Sequence, residues 1–188
     1  MLAHCSLMFR GAPCNLLRIR RIFTHYLHAP LIMLTAIRFG IIFALMQFAW
    51  LIGEYLVGLQ TTYIDQHVHY TNLILLPSVA IMVWGLFARR AELGGELSYL
   101  QALGQGLGTG VTVGLLSIGV QYLFFTYINP QFFADFRDYA VDQGAMSAPA
   151  AEAYFSRTSY AVQAALFAPV GGILTNAVAG LFLKTRWR

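Results

Sequence analysis

Four long apolar segments constrain this chain more than any other feature of its sequence. They cover residues 39–59, 72–88, 107–128 and 159–183. A helix needs about 20 apolar residues, at about 1.5 Å of rise each, to cross a hydrocarbon layer about 30 Å thick. Charged residues make up only 11% of the 188-residue chain, whereas soluble domains carry about 25%. The sequence therefore predicts an integral membrane protein with one membrane domain, residues 33–188.

The segments favour helices over strands. None of them alternates polar and apolar residues, as a membrane β-strand does. A helix satisfies its backbone hydrogen bonds internally, which the hydrocarbon requires. We therefore expect an all-α protein, a four-helix bundle that spans the membrane four times.

The basic residues predict the orientation of the chain. Ten of its twelve lysines and arginines fall on one side of the four-span arrangement. They are Arg10, Arg18, Arg20, Arg21, Arg38, Arg89, Arg90, Lys184, Arg186 and Arg188. Basic loops stay preferentially in the cytoplasm. Both termini are therefore expected there, with anionic lipids of the cytoplasmic face as partners of the basic residues and no role in binding nucleic acid.

Residues 1–32 form a basic extension that does not read as a secretory signal, because its arginines come late and Pro30 interrupts the apolar run. Two alternatives remain. Residues 16–27 fit a basic amphipathic helix on the anionic inner surface, or Met33 is the true start. Cys5 and Cys14 are expected to be reduced on that side and make no recognisable zinc pattern.

Two stripes of small residues predict the helix packing. Residues four apart share a helix face, and small residues let membrane helices approach closely. The third segment carries Gly106, Gly110 and Gly114, and the fourth carries Gly172, Asn176 and Gly180. We expect these stripes to pack together, with Asn176 hydrogen-bonded to Ser117 or Gln121.

The long connection after the third segment predicts a short helical lid on the outer face. The stretch "INPQFFADFRDYAVDQG" combines Asn129 as a cap, Pro130 at the first helical position and Gly144 as a stop. Its aromatic residues recur at helical spacing opposite a charged face, the pattern of an amphipathic interfacial helix. A second helix is expected to start at Ser147 and to continue into the fourth segment.

Glu54 is the one acid within the first segment. It follows Arg38 by sixteen residues, or roughly 24 Å along a helix, so it is expected within a turn or two of the outer surface. Three roles are open: an acid that reaches towards outer water, a pairing partner for another helix, or a transport or proton-relay group. No second acid or base within a segment accompanies it, which weakens the relay interpretation.

Candidates for catalysis and metal binding are few. Asp65, His67 and His69, spaced by two, would line one side of an extended segment and could then hold a transition metal, but a helix would scatter them. This candidate is weak for a short loop. The sequence contains no arrangement typical of nucleophilic or acid–base catalysis, and we predict no catalytic residue and no cofactor.

Three short stretches resemble a known family. They are "IRFGIIFALM", "FARRAELGGELSYLQALGQG" and "YINPQF". They are similar to the uncharacterised bacterial membrane proteins catalogued as domain of unknown function family 4199, over about residues 33–188. The resemblance implies a four-span protein of the bacterial inner (cytoplasmic) membrane with no established activity. The chain departs from the family in being rich in arginine rather than lysine and in having a shorter outer loop.

These observations leave a main hypothesis and two alternatives. The main hypothesis is a non-enzymatic structural or accessory helix bundle that associates with itself or with another membrane protein. The first alternative is a small transporter or channel component that uses Glu54 and Asn176, motivated also by prolines within two segments. An enzyme is motivated only by the loop of Asp65, His67 and His69.

Overall fold

The computed structural model describes the backbone of residues 12–185 and the side chains of residues 33–185. Seven α-helices follow one another in this part of the chain, which contains no β-strand. They are α1 (Ala12–Leu56), α2 (Ile64–Thr71), α3 (Leu75–Glu92), α4 (Tyr99–Leu123), α5 (Phe132–Asp142), α6 (Ala148–Tyr154) and α7 (Arg157–Leu183). A 3-10 turn, Asn72–Ile74, joins α2 to α3, and a π-helical turn, Phe124–Ile128, extends α4.

Four of the helical stretches are long and apolar enough to cross a membrane, which confirms the predicted four-span architecture. They are Met33–Leu56, Ile64–Glu92, Tyr99–Ile128 and Arg157–Leu183. The second and third begin earlier than hydropathy alone predicts. The third begins at Tyr99 because Ser98 caps it: its hydroxyl accepts from the Gln101 N–H over 3.2 Å, and the Gln101 side chain accepts from the Ser98 N–H over 2.9 Å.

Helix α1 continues without a break from Ala12 into the first span. The predicted helix over residues 16–27 is therefore part of α1 rather than a separate element. Residues 1–11, including Cys5, and the side chain of Cys14 lie outside the described part of the chain. The division between an extension, 1–32, and a membrane domain stays a prediction.

The closest helix pair is α4 with α7, which run antiparallel. The backbone of Gly106 contacts that of Gly172, and Gly110 lies against Ala168 and Pro169. A side chain on Gly110 would place its Cβ 2.5 Å from the Ala168 carbonyl oxygen, which is closer than atoms can pack. The two predicted stripes thus face each other, and α1 packs on another side of α4 through Gly108, which faces Ala36.

One end of the bundle joins the first span, the α3–α4 turn and the end of α7. Thr35 of α1 donates to Glu92 at the end of α3 over 2.7 Å. After the turn, the Leu97 carbonyl accepts from the Thr185 N–H over 2.8 Å. Met33 and Thr185 therefore lie towards the same end, as an even number of spans requires.

The opposite end is built from phenylalanines. The π-helical turn supplies Phe124 and Phe125, which pack with three buried phenylalanines of α5. These three are Phe132, Phe133 and Phe136. Helix α5 therefore packs its apolar face against this end of α4, whereas the sequence pattern assigned that face to the membrane interface.

Two details of the connection after α4 differ from the sequence prediction, and a third agrees with it. Helix α5 begins at Phe132, and Asn129 turns inward instead of capping it. Gly144 does follow α5, with φ of 64°. Helix α6 does not continue into α7, because Phe155 leaves helical geometry (ψ 71°) and Ser156 starts α7 as a cap whose hydroxyl accepts from the Ser159 N–H over 3.2 Å.

Candidate functional site

Glu54 lies in the last turn of α1 and is buried, with 4% of its surface exposed. The Trp50 indole N–H, one turn earlier, donates to Glu54 Oε1 over 2.6 Å. The Gln60 amide donates to Glu54 Oε2 over 3.1 Å. Each oxygen of the Glu54 side chain accepts from an N–H group, so both oxygens have hydrogen-bond partners within the protein. The expectation that Glu54 reaches outer water is wrong, because its own chain supplies the polar partners.

A glycine turn brings Gln60 back onto the end of α1. Gly58 has φ of 80°, in the left-handed region that glycine occupies at the end of a helix. The Leu59 N–H then bonds to the Glu54 carbonyl over 2.9 Å. The next residue, Gln60, is fully buried and also donates weakly to the Leu51 carbonyl over 3.4 Å.

Asn129 completes what we call the Glu54 cluster, defined as Trp50, Glu54, Gln60 and Asn129. The Asn129 amide donates to Gln60 Oε1 over 3.2 Å, and the side chain is 3% exposed. Asn129 directly follows the π-helical turn and precedes α5. The cluster therefore connects the end of the first span to the segment that leads into α5. Glu54 itself pairs with the turn that follows α1, through Gln60, rather than with another spanning helix.

An apolar cavity of about 540 Å³ lies beside the Glu54 cluster. Its walls come from the last turns of α1, the turn that follows, and the region where α2 leads into α3. Among the residues whose side chains the structure describes, Glu54 is the only charged one in this lining. Met46, Trp50, Tyr70, Leu73 and Pro77 are among the residues that line it. The site therefore combines a buried acid with an apolar space large enough for a small molecule.

The three residues of the metal candidate, Asp65, His67 and His69, all lie on helix α2. Residues two apart point in different directions on a helix, and Asp65 and His69 are exposed on its surface. His67 instead packs its ring against Phe136, with 4.8 Å between ring centroids. Within residues 33–185 no group of three or more His, Cys, Asp or Glu side chains is placed to hold a metal ion.

A second buried charge, at the other end of the bundle, was not expected. Arg89 is 1% exposed, and its Nη1 donates to Glu92 Oε2 over 3.0 Å. Its Nε and Nη2 have no hydrogen-bond partner among the described residues. The sequence prediction treated Arg89 as a charge of the connecting loop, whereas α3 continues to Glu92 and turns the arginine inward.

Asn176 is buried, with 1% exposure, but its partner differs from the prediction. Its amide donates to the Ala102 carbonyl over 3.2 Å, whereas Ser117 donates to Gln47 of α1 over 2.6 Å. The antiparallel arrangement explains the error, because residue 176 near the end of α7 lies beside the start of α4.

Glu54 and Asn176 therefore occupy opposite ends of the bundle. Asn176 bonds to Ala102 near the start of α4, while Tyr55, next to Glu54, contacts Phe124 beyond its end. Phe124 follows Ala102 by 22 positions, which correspond to roughly 33 Å of helix. The two residues do not share one site.

Sequence reasoning found the acid of the site and missed its partners. Trp50 stands four residues before Glu54, a spacing that places both on one helix face, and Gly58 marks the turn that returns Gln60. These two signals were available in the sequence. Asn129 was not predictable in the same way, since it is 69 residues away from Gln60.

A family model described as "Protein of unknown function (DUF4199)" matches residues 38–185. The matched range contains α2 to α7 and most of the first span. It includes every residue of the Glu54 cluster and both small-residue stripes. No curated protein and no solved structure matches the chain.

Proposed function

This chain belongs to the DUF4199 family, whose description assigns no activity, and we propose that it is a non-enzymatic structural or accessory helix bundle of the membrane. In this role it associates with a second copy or with another membrane protein. Its other partners are the lipids of the bilayer and, at the cytoplasmic face, anionic lipids. Its work is mechanical support rather than chemistry.

The seam between α4 and α7 is the observation that carries this proposal. Gly106 and Gly172 meet backbone to backbone, so the seam has no room for a path between these two helices. Interior polar side chains of the spans bond to their own bundle, as Ser117 does to Gln47 and Asn176 to Ala102. Polar bonds between membrane helices average about 0.6 kcal/mol, so they orient the helices more than they stabilise them.

The alternative is a small transporter or channel component. The observation that favours it is Glu54, a buried acid that lines a cavity. An ionisable residue within a membrane span is by default a candidate for a functional role. Asn176 adds little to this alternative, because it lies roughly 33 Å away along α4.

We place the protein in the bacterial inner membrane with both termini in the cytoplasm. The support is the concentration of basic residues at one end, where Arg89, Arg90 and Lys184 are close to the ends of α3 and α7. In this orientation α5 and α6 form the lid at the outer face. The buried phenylalanines of α5 pack against Phe124 and Phe125, which holds α5 over this end of the bundle.

The proposal is tested with the full chain reconstituted into liposomes. Proton flux under a membrane potential should equal that of empty liposomes. Single-molecule photobleaching of the labelled protein in native membranes should show a defined complex, either of several copies or of one copy with a constant partner. Proton flux that disappears in Glu54→Gln would overturn the structural role in favour of the transporter.

A further inference from the structure

The cavity beside Glu54 has the size and walls of a ligand site. Its volume of about 540 Å³ falls within the range of roughly 300–1,000 Å³ that small-molecule sites occupy. Almost all of its lining is apolar, with Met46 from α1, Leu73 from the turn between α2 and α3, and Pro77 from α3. An occupant must therefore have a largely apolar body.

The charge of the cavity restricts the occupant further. No cationic side chain of residues 33–185 lies within ion-pair distance of Glu54, whose partners are the neutral Trp50 and Gln60. His67 packs its ring against Phe136, with 4.8 Å between ring centroids, and is not among the residues that line the cavity. The described part of the lining contains no lysine, arginine or histidine. An anion or the phosphate of a lipid headgroup would find no cation there, whereas a positive charge would compensate the carboxylate.

Aromatic rings supply the second means of holding a cation. The Trp50 ring is fixed by the bond from its N–H to Glu54, and Tyr70 lines the same cavity. Indole and phenol faces attract quaternary and other diffuse organic cations, and tryptophan does so best. We propose that this cavity binds a lipophilic organic cation, a molecule with an apolar body and a single positive charge, with Glu54 as the counter-charge. This inference does not depend on the proposed structural role.

The experiment measures equilibrium binding of radiolabelled tetraphenylphosphonium to the full chain in a neutral detergent. Tetraphenylborate, which has nearly the same size and shape but a negative charge, is the matched probe. We expect saturable binding of the cation at one site per chain and no saturable binding of the borate. Equal binding of both ions, or no saturable binding of the cation, would overturn the proposal.

Glu54→Gln tests the counter-charge, since glutamine keeps a carbonyl oxygen for the Trp50 N–H and removes the charge. We expect roughly tenfold weaker binding or more, about 1.4 kcal/mol. Glu152→Gln, an exposed acid on α6, is the control and should bind as the wild type does. Unchanged binding in Glu54→Gln contradicts the assignment and leaves a plain apolar recess for a lipid chain or a neighbouring helix.

Gly53→Phe tests the location without touching the Glu54 cluster. Gly53 lines the cavity, and a Cβ added there meets no atom within 4 Å, so the backbone accommodates the change while the ring fills the cavity. Gly119→Phe on α4 has the same open surroundings and lies outside the lining. Binding should be lost in Gly53→Phe and kept in Gly119→Phe. If both variants keep binding, the cation binds elsewhere. This comparison decides the location of the site even if Glu54→Gln does not fold.

Discussion

The backbones of Gly106 and Gly172 lie in direct contact across the seam between α4 and α7. Two helices can come this close only where neither carries a side chain at the crossing. One turn further along α4, Gly110 meets Ala168 and Pro169 in the same way. The seam is therefore the part of the bundle least able to accept added atoms.

Gly110→Ile should strongly destabilise the bundle. Its Cβ would lie 2.5 Å from the Ala168 carbonyl oxygen and 2.6 Å from the Pro169 Cα. Overpacking of this kind costs about 1–3 kcal/mol or more. Thermal unfolding in detergent, followed by fluorescence-detected size exclusion, measures the loss. Gly104→Ile is the control, because a Cβ at this exposed position meets nothing within 4 Å; equal losses in the two variants would contradict the seam.

Gln60→Leu should destabilise the end of the bundle that holds Glu54. The change removes the donor to Glu54 Oε2 and the acceptor of the Asn129 amide. Leaving buried polar groups unpaired costs about 1–3 kcal/mol each. Gln66→Leu, at an exposed position of α2, should be close to neutral.

The double variant with Glu54→Gln shows whether the Glu54–Gln60 bond carries this effect. We expect Gln60→Leu to cost less when residue 54 is uncharged, with a coupling free energy above about 0.5 kcal/mol. The free energies of unfolding of the four chains give this value. Strictly additive effects would mean that the two side chains stabilise the fold independently.

Arg89 and Glu92 should respond unequally to substitution. Arg89→Met removes a buried cation whose Nε and Nη2 have no partner among the described residues, so we expect unchanged or higher stability. Glu92→Gln leaves that cation without its carboxylate and should lower the free energy of unfolding by about 1–3 kcal/mol. Arg90→Met, next to it in the helix, is the comparison variant, which removes only an exposed bond from Arg90 Nε to the Gly95 carbonyl over 2.9 Å. A larger loss from Arg89→Met than from Glu92→Gln would show that the arginine stabilises the fold.

The four spans and the seam could be predicted because their signals are local. Hydropathy over some 20 residues is enough to identify a span, and the spacing of Gly106, Gly110 and Gly114 defines one helix face. The partners across the seam follow once α4 and α7 are antiparallel neighbours. The predicted hydrogen bond between Asn176 and Ser117 was wrong, because the prediction paired compatible residue types without comparing their positions along the membrane normal.

The candidate site could be predicted only in part, because it depends on chain reversal and long-range pairing. Glu54 was visible as an acid in an apolar segment. Its burial depends on the φ of Gly58 and on Asn129, which no local pattern links to residue 54. Arg89 shows a second reason why the prediction was incomplete. Sequence reasoning assigns its charge to a loop, but the arginine becomes buried because α3 continues for one more turn.

The proposed orientation predicts which side of the membrane each connection faces. Glu152→Cys on α6 and Glu96→Cys in the α3–α4 connection place one thiol at each end of the bundle, both at exposed positions. In a background without Cys5 and Cys14, a membrane-impermeant maleimide applied to intact bacteria should label Glu152→Cys and spare Glu96→Cys. Both thiols should be labelled after the cells are broken.

The reverse pattern in intact cells would invert the orientation while keeping four spans, and the lid of α5 and α6 would then face the cytoplasm. Labelling of both thiols in intact cells would contradict the four-span arrangement itself, because an α3–α4 connection and α6 on the same side require an even number of crossings between them. Helix α4 is the one span between residues 96 and 152. The two positions must therefore differ in accessibility if α4 crosses the membrane.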